Sequence, residues 1–270
     1  MTILLLGDLT GRSRVALRML TYELEARGHE VLALPTALIS NTLNLGQAAM
    51  LDTTDYLMQS LETWEKLGLT YDALYIGFVT GVAQAEKLCE IAEAAKKRGI
   101  PVVVDPILGD NGKKYNSVGE EQARAMAMLV RHADILTPNV TEACILTGTP
   151  YQEHFTEAEL LALAQRLCDQ GPERVVITGV SRGSYLENYC YERDNGPSVQ
   201  RTLRIAPQRS GTGDVFSSIV AAGVVQGVPF DQCVRTAAGF IRTCLKRSSE
   251  LDIPTTDGVC FEEVIHQLHF

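Results

Sequence analysis

The sequence predicts an α/β fold, a three-layer, doubly wound architecture in which helices cover both faces of a mostly parallel sheet. Short apolar runs rich in β-branched residues alternate with amphipathic helical stretches. No internal repeat or linker interrupts the alternation, and no polar stretch is long enough to suggest disorder. A chain of 270 residues can bury a large core around one sheet, so we expect a single domain over residues 1–270.

The elements follow one another in a regular order. Residues 86–97 carry an apolar face and end just before Gly99, as a helix does. At 183–205, alternating aromatic and polar residues predict an antiparallel hairpin at a sheet edge. Two long helical patterns follow, and then a last amphipathic segment near 259–268. The two helical patterns are 213–226 and 230–246, and the predicted strands are 2–7, 30–34, 73–76, 101–105, 135–137 and 174–178.

The composition argues against several partners. A net charge of -9 does not suit DNA, RNA or anionic lipid, because those partners select clustered Lys and Arg. The apolar segment 2–6 is far shorter than a membrane span and lacks a basic flank, so we interpret it as a buried strand. The seven cysteines form no CxxC pair and their number is odd, which favours reduced thiols in a cytoplasmic protein.

Several well-known site types find no support. The sequence has no GxxxxGK[ST] loop, no GxGxxG after the first strand and no GxSxG elbow. The five histidines show no metal-ligand spacing to cysteine, so zinc is not expected.

The strongest chemical signal is Ser210-Gly211-Thr212-Gly213-Asp214, here called the glycine loop, which opens a small, apolar helix. Its glycines let successive N–H groups point at one spot, where the helix N-terminus adds positive potential, so an anion is expected there. Asp214 would lie in the first turn and could take a proton from an attacking hydroxyl. The alternative is that Asp214 is only a dipole or capping partner of the helix.

Two further blocks follow strand ends. Residues 104–112, here called the acidic loop, hold Asp105 and Asp110 in a Pro- and Gly-rich turn that suits Mg²⁺ or is simply a turn. Asn139 and Glu142 have capping-box spacing, so Glu142 either only caps the helix or also faces the cleft. In a parallel sheet such positions converge beyond the carboxyl ends of the strands.

Taken together, the glycine loop, the acidic loop and the block 137–142 resemble the ribokinase-like superfamily in order and interval, over essentially the whole chain. Segment 34–42 is similar to the substrate-side segment of the vitamin B6 kinases, and residues 8–11 resemble the start of bacterial pyridoxamine kinases. Sugar kinases of the superfamily carry a strand-built lid for which this sequence leaves little room, so the resemblance implies a lidless fold.

The resemblance implies an ATP-dependent kinase that phosphorylates the 5′-hydroxymethyl group of a B6 vitamer (pyridoxal, pyridoxamine or pyridoxine) in pyridoxal 5′-phosphate salvage. Asp214 would be the catalytic base, with the N–H groups of Gly211, Thr212 and Gly213 stabilising the transferred phosphoryl group. Asp105 and Glu142 would order Mg²⁺. The positions matching the nucleotide and metal side of the family are Asp105, Asp110, Tyr115, Thr137, Asn139, Glu142 and Thr178, and those facing the substrate are Asp8, Thr10, Thr36, Ser40 and Phe78.

Departures from the family pattern leave alternatives open. Arg12 and Ser13 stand where pyridoxamine-kinase-like sequences tend to have an aromatic residue and a glycine, and two basic residues near the cleft, Arg12 and Arg14, would suit a more anionic substrate. Asp8 could instead pair with a cationic amine or ring nitrogen, and Phe78 is either a ring contact or core. One alternative is a hydroxymethylpyrimidine or other heteroaromatic-alcohol kinase. Many hydroxymethylpyrimidine kinases have a cysteine at the position of Asp214, so the aspartate favours the B6 kinases. The other alternative is a catalytically silent nucleotide-binding homologue. The resemblance also implies a homodimer, and it leaves open whether a monovalent cation assists.

Overall fold

The computed structural model describes residues 1–205 and 209–269. Nine of the strands within these ranges form one sheet, in which six neighbouring strands run parallel and three more are added at the two edges by antiparallel pairing. The strands are β1 (Thr2–Thr10), β2 (Glu30–Ile39), β3 (Met50–Asp52), β4 (Ala73–Ile76), β5 (Val102–Val104), β6 (Gly109–Asp110), β7 (Lys113–Lys114), β8 (Ile135–Leu136), β9 (Arg174–Arg182), β10 (Tyr185–Glu192) and β11 (Gly196–Leu203). The sheet order is β11-β10-β9-β8-β5-β4-β1-β2-β3, and β6 pairs with β7.

Helices cover both faces of the sheet, which confirms the predicted three-layer α/β fold. One face packs against α2 to α6, and the other packs against α1, α7, α8 and the C-terminal segment. The helices are α1 (Ala16–Ala26), α2 (Thr54–Lys66), α3 (Val82–Lys97), α4 (Glu120–Val130), α5 (Val140–Thr147), α6 (Glu157–Cys168), α7 (Thr212–Val225) and α8 (Phe230–Glu250). Within the described residues, no helix is long and apolar enough to cross a membrane.

The double coverage explains why the strands are apolar throughout rather than alternating. In β1, Leu4 and Leu6 face one helical layer while Ile3 and Leu5 face the other. Successive side chains of a strand point to opposite faces, so both faces need apolar residues when both are covered.

Strand β2 is longer than the sequence pattern predicts. It pairs with β1 as far as Thr10 and Ile39, with a register shift at Gly7 and Asp8, whereas β4 pairs with β1 only as far as Leu6. The ends of β1 and β2, together with β3, therefore project beyond the rest of the sheet; we call this projection the β1–β2–β3 wall.

The chain beyond β9 contains one confirmed element and one difference. β10 and β11 form the predicted antiparallel hairpin, with β11 at the sheet edge. The amphipathic segment near 259–268 forms only a single 3-10 turn at Ile265–Gln267. The start of this stretch is attached to α8, because the backbone N–H of Cys260 donates to Ser248 Oγ (2.8 Å), and the residues that follow make only short-range bonds such as Val264 N–H to the Phe261 carbonyl (3.1 Å).

Candidate active site

The candidate active site lies at the carboxyl edge of the parallel strands. Asp8 stands near the end of β1, Asp105 follows β5 and Thr137 follows β8. Helix α7 begins at the same edge, with Asp214 in its first turn. Asp214 is close enough to Asp105 and Asp8 for both charges to raise its pKa, so the structure brings these three carboxyl groups together as their strand positions predict.

The glycine loop has the backbone geometry of an anion site. Gly211 is the N-cap of α7 and has φ 82°, in the left-handed region. A Cβ atom at this position would lie 2.3 Å from the carbonyl oxygen of Arg14, so a larger residue does not fit. The first N–H groups of the 14-residue helix α7 have no partner within the helix, and together with the helix dipole they make this end of the helix suitable for binding an anion.

The carboxyl group of Asp214 is tuned to titrate near neutral pH. Burial in the first place, and then the negative charges of Asp105 and Asp8, raise the pKa of Asp214 to about 7, while a hydrogen bond from the Ala16 backbone opposes this rise in pKa. The side chain retains intermediate exposure, so it is reachable from the cleft. A carboxyl group of this kind can accept a proton from a hydroxyl group at neutral pH.

Asp105 is the centre of a buried group of side chains that we call the hydroxyl–carboxylate cluster, comprising Tyr75, Asp105, Thr137 and Ser217. Asp105 Oδ1 accepts a hydrogen bond from Thr137 Oγ1 (2.8 Å), and Oδ2 accepts from Tyr75 OH (3.0 Å) and Ser217 Oγ (3.0 Å). The Tyr75 and Ser217 hydroxyl oxygens lie 2.7 Å apart, so when one of them donates to the other, the second hydroxyl is the one that donates to Asp105. Burial raises the pKa of Asp105, and the three hydroxyl donors oppose that rise in pKa.

Glu142 caps a helix and also contacts the acidic loop. Its Oε2 accepts from the N–H of Asn139 (2.8 Å), and Asn139 Oδ1 accepts from the N–H of Glu142 (3.0 Å), which is a capping box. Its Oε1 accepts from the N–H of Leu108 (3.2 Å), and Asn139 Nδ2 donates to the carbonyl of Gly109 (2.8 Å). Burial and then the charge of Asp105 raise the pKa of Glu142 well above its ordinary value.

The remaining residues expected on the nucleotide side lie around the same two loops. Thr178 forms an isolated parallel β-bridge with Asn139, and its backbone N–H donates to the carbonyl of Pro138 (2.9 Å). Burial raises the pKa of Tyr115, and the charges of Glu142 and Asp110 are the next largest causes. Burial also raises the pKa of Asp110.

The residues expected on the substrate side are only partly together. Thr10 Oγ1 donates to Asp8 Oδ2 (2.6 Å), so these two form one polar unit, and burial raises the pKa of Asp8. Thr36 is fully buried and donates to the carbonyl of Phe78 (2.6 Å), whose ring lies in the core. The Ser40 hydroxyl lies on the β1–β2–β3 wall and accepts from the N–H of Ala49 (3.0 Å).

The basic residues near the cleft are paired within the protein. Arg12 lies 3.4 Å from Asp257, and Arg14 Nε lies 2.6 Å from Glu262. Ser13 has φ 84°, a conformation that favours glycine, and its hydroxyl donates to the carbonyl of Thr256 (3.1 Å). These contacts connect the two guanidinium groups to the C-terminal segment.

Two buried residues of the site were not predicted from the sequence. Tyr75 stands in the apolar strand run Ala-Leu-Tyr-Ile, and Ser217 stands in the apolar helix that follows the glycine loop. Both positions have the periodicity of core residues, and no local signal distinguishes them.

Carboxylates dominate this edge of the sheet. The described parts of the chain contain no group of three or more His, Cys, Asp or Glu side chains arranged to hold a metal ion. Asp105 and Glu142 nevertheless fit Mg²⁺ in chemistry, because both offer hard oxygen atoms and the charge of Asp105 raises the pKa of Glu142, a repulsion that a cation relieves. The oxygens of both carboxyl groups already accept hydrogen bonds from protein donors, so contact between Mg²⁺ and these groups through water molecules fits best.

Comparison with known proteins identifies relatives of the same architecture. Residues 24–257 match the phosphomethylpyrimidine kinase family. The chain is 28% identical over 251 residues to the pyridoxine/pyridoxal/pyridoxamine kinase of Bordetella avium, covering 87% of this chain and 82% of that one. It is 26% identical over 206 residues to the hydroxymethylpyrimidine/phosphomethylpyrimidine kinase of Rhizobium meliloti, covering 74% and 72%.

A solved structure is similar over almost the whole chain. The crystal structure of a Bacteroides thetaiotaomicron protein, in a form with pyridoxal, superimposes with a TM-score of 0.93 at 30% identity, covering 99% of this chain and 95% of that one. A Caenorhabditis elegans relative is matched over a smaller share of its length, since this chain aligns with 47% of it.

Proposed function

Because the chain belongs to the phosphomethylpyrimidine kinase family and is an ATP-dependent kinase, we propose that it phosphorylates the hydroxymethyl group of a B6 vitamer. The observation that carries this proposal is Asp214, a carboxyl group whose pKa is raised to about 7, placed in the first turn of a helix whose N-cap is Gly211. Base and anion site thus stand within one turn of each other. That is the arrangement needed to activate an alcohol beside a phosphoryl group.

The reaction follows from these positions. Asp214 accepts the proton of the substrate's primary alcohol while the alcohol oxygen attacks the γ-phosphorus of ATP. The N–H groups of Gly211, Thr212 and Gly213 donate to the phosphoryl oxygens as charge builds on them. Preorganised donors of this kind are worth about 3 kcal/mol each. ADP leaves with the electrons of the broken P–O bond.

Nucleotide and metal are assigned to the opposite side of the cleft. Asp105 and Glu142 would hold Mg²⁺ through water, and Mg²⁺ would neutralise charge on the phosphate oxygens. Thr137, Asn139, Thr178, Asp110 and Tyr115 surround the same loops and are proposed to contact the phosphate tail and the nucleotide.

The substrate is a heteroaromatic alcohol. Asp8 and Thr10 form the polar unit nearest Asp214 on the wall side, and Asp8 suits an amine or a protonated ring nitrogen. The second candidate is a hydroxymethylpyrimidine, which the family match and the Rhizobium relative favour.

We also propose that two copies associate through the β1–β2–β3 wall. Leu9, Leu38, Met50 and Leu51 lie on it with exposed fractions of 41%, 40%, 39% and 60%. Among the residues that the structure describes, strand β3 is the last of the sheet, so one of its edges has no neighbouring strand there. A second copy of this chain is the partner that presents the same apolar surface, as a two-fold interface requires.

The test is ATP- and Mg²⁺-dependent phosphorylation of pyridoxal, pyridoxamine, pyridoxine, hydroxymethylpyrimidine and simple sugars, with product masses confirmed. Turnover of a vitamer at a kcat/KM of about 10⁴ M⁻¹s⁻¹ or more supports the assignment. Faster turnover of hydroxymethylpyrimidine selects the second candidate. ATP binding without turnover of any acceptor indicates a silent homologue.

A further inference from the structure

We propose that Tyr75 and Ser217 are positioning residues for Asp214, which they hold through the carboxylate of Asp105. This inference rests on the function proposed above, because it concerns the same site. Ser217 belongs to helix α7 and Tyr75 contacts it, so the contribution we assign to both is the placement of that helix.

The hydroxyl–carboxylate cluster joins four separate elements at the place where α7 begins. Tyr75 comes from β4, Asp105 follows β5, Thr137 follows β8, and Ser217 belongs to α7. All four side chains are at most 4% exposed. Each Asp105 oxygen has a hydroxyl donor at 2.8–3.0 Å, so the carboxylate cannot turn without breaking a buried hydrogen bond.

Ser217 connects this cluster to the proposed base. It lies three residues after Asp214, and its Oγ is 3.1 Å from the carbonyl oxygen of Asp214, which is an alternative acceptor for the same hydroxyl proton. Fixing Ser217 against the sheet therefore fixes the rotation of the first turn of α7. Tyr75 prevents Ser217 from moving, since its hydroxyl bonds to both Ser217 and Asp105.

A purely structural role is the competing explanation, and the chain provides a matched control for it. Tyr189 is also a fully buried tyrosine whose hydroxyl donates to a buried carboxylate, that of Glu187. It lies on β10, outside the carboxyl edge of β1, β4, β5 and β8. Tyr75→Phe and Tyr189→Phe thus remove the same chemical group from the same kind of environment.

The experiment measures kcat and KM for ATP and pyridoxal in Tyr75→Phe, Ser217→Ala, the double variant and Tyr189→Phe, normalised to folded enzyme by ADP-binding stoichiometry. We expect Tyr75→Phe and Ser217→Ala each to lower kcat about tenfold with KM nearly unchanged, since misplacement of reacting groups acts on the transition state. The double variant should lower kcat by less than the product of the two single-variant factors, because both hydroxyl groups act through Asp105. Tyr189→Phe should keep kcat. Equal losses in the two tyrosine variants, or no loss in either, overturn the inference.

Amide hydrogen exchange separates this inference from the proposed substrate. The first amides of α7 that are hydrogen-bonded within the helix, beginning with Val215 (3.0 Å to the Gly211 carbonyl), should exchange about tenfold faster in Tyr75→Phe and Ser217→Ala than in the wild type or Tyr189→Phe, whichever acceptor the enzyme uses. If the wild type phosphorylates no vitamer but this difference is seen, the substrate proposal fails and the positioning role stands. Unchanged exchange of these amides refutes the positioning role.

Discussion

Replacing Asp214 by Asn should stabilise the folded protein at neutral pH while removing most turnover. The folded state holds the Asp214 proton up to a pKa of about 7, whereas the ordinary pKa is 3.8. Between these values the unfolded chain releases a proton that the folded chain retains. The wild type therefore loses stability as pH rises from about 4 to about 7, and the loss is complete above that range. Asn cannot ionise, so the variant has no such loss.

The size of the effect follows from the same shift in pKa. Each unit corresponds to about 1.4 kcal/mol, so the upper limit is about 4 kcal/mol. Because the Asp214 side chain has intermediate exposure, solvent screening lowers this, and we expect a gain of about 2 kcal/mol for the variant. Asn keeps an acceptor oxygen for the Ala16 N–H, so the loop geometry should survive.

The assay is urea denaturation of wild type and Asp214→Asn across pH, from about pH 4 to about pH 8. The difference in unfolding free energy should be near zero at the acidic end and should grow as pH rises. Asp194→Asn, in the exposed hairpin turn, is the control and should change stability by less than about 0.5 kcal/mol. A difference that stays constant with pH would refute the claim that burial and neighbouring charges act on Asp214.

Three further predictions concern the loops and the wall. Gly211→Ala should cost more than about 2 kcal/mol of unfolding free energy in urea melts and should abolish turnover. The control is Gly196→Ala, which should cost only about 1 kcal/mol, because Gly196 has φ 79° but no described atom lies within 4 Å of the added Cβ. Glu142→Gln should raise the Mg²⁺ concentration for half-maximal activity about tenfold, whereas the control Glu159→Gln, in the exposed capping box of α6, should not change it. Equal Mg²⁺ dependence in the two variants would show that Glu142 does not help to bind Mg²⁺. Light scattering should give twice the chain mass of 29.5 kDa for the wild type and the mass of one chain for Leu51→Glu. A monomeric wild type would refute the proposed dimer.

Much of the fold follows from local pattern, because helices on both faces of a sheet require apolar strands and amphipathic helices. The strand at 73–76 and the hairpin at 183–205 were predicted on that basis and are confirmed. The extension of β2 was not predicted, since Pro35 and Thr36 interrupt its apolar run. Its pairing with β1 outweighs the weak strand preference of Pro35.

The site divides in the same way. Gly211 and Asp214 belong to one short motif, so sequence alone indicates their chemistry, although the role of Asp214 as a base stays a prediction. Tyr75 and Ser217 are 142 residues apart and meet only through the folding of α7 onto β4. A contact of that separation leaves no trace in the local pattern, and each residue by itself has the appearance of core.

The pairing of the Arg14 side chain with Glu262 has a consequence for how the protein matures. These residues are 248 positions apart, yet the carbonyl of Arg14 is the atom that leaves no room beside Gly211. Contacts of such long range are the slowest to form, because the entropy of closing the intervening chain must first be overcome. A nascent chain lacks Glu262 until that residue has been synthesised, so we expect the glycine loop to remain unformed until then. The enzyme would be inert until Arg14 and Glu262 have met.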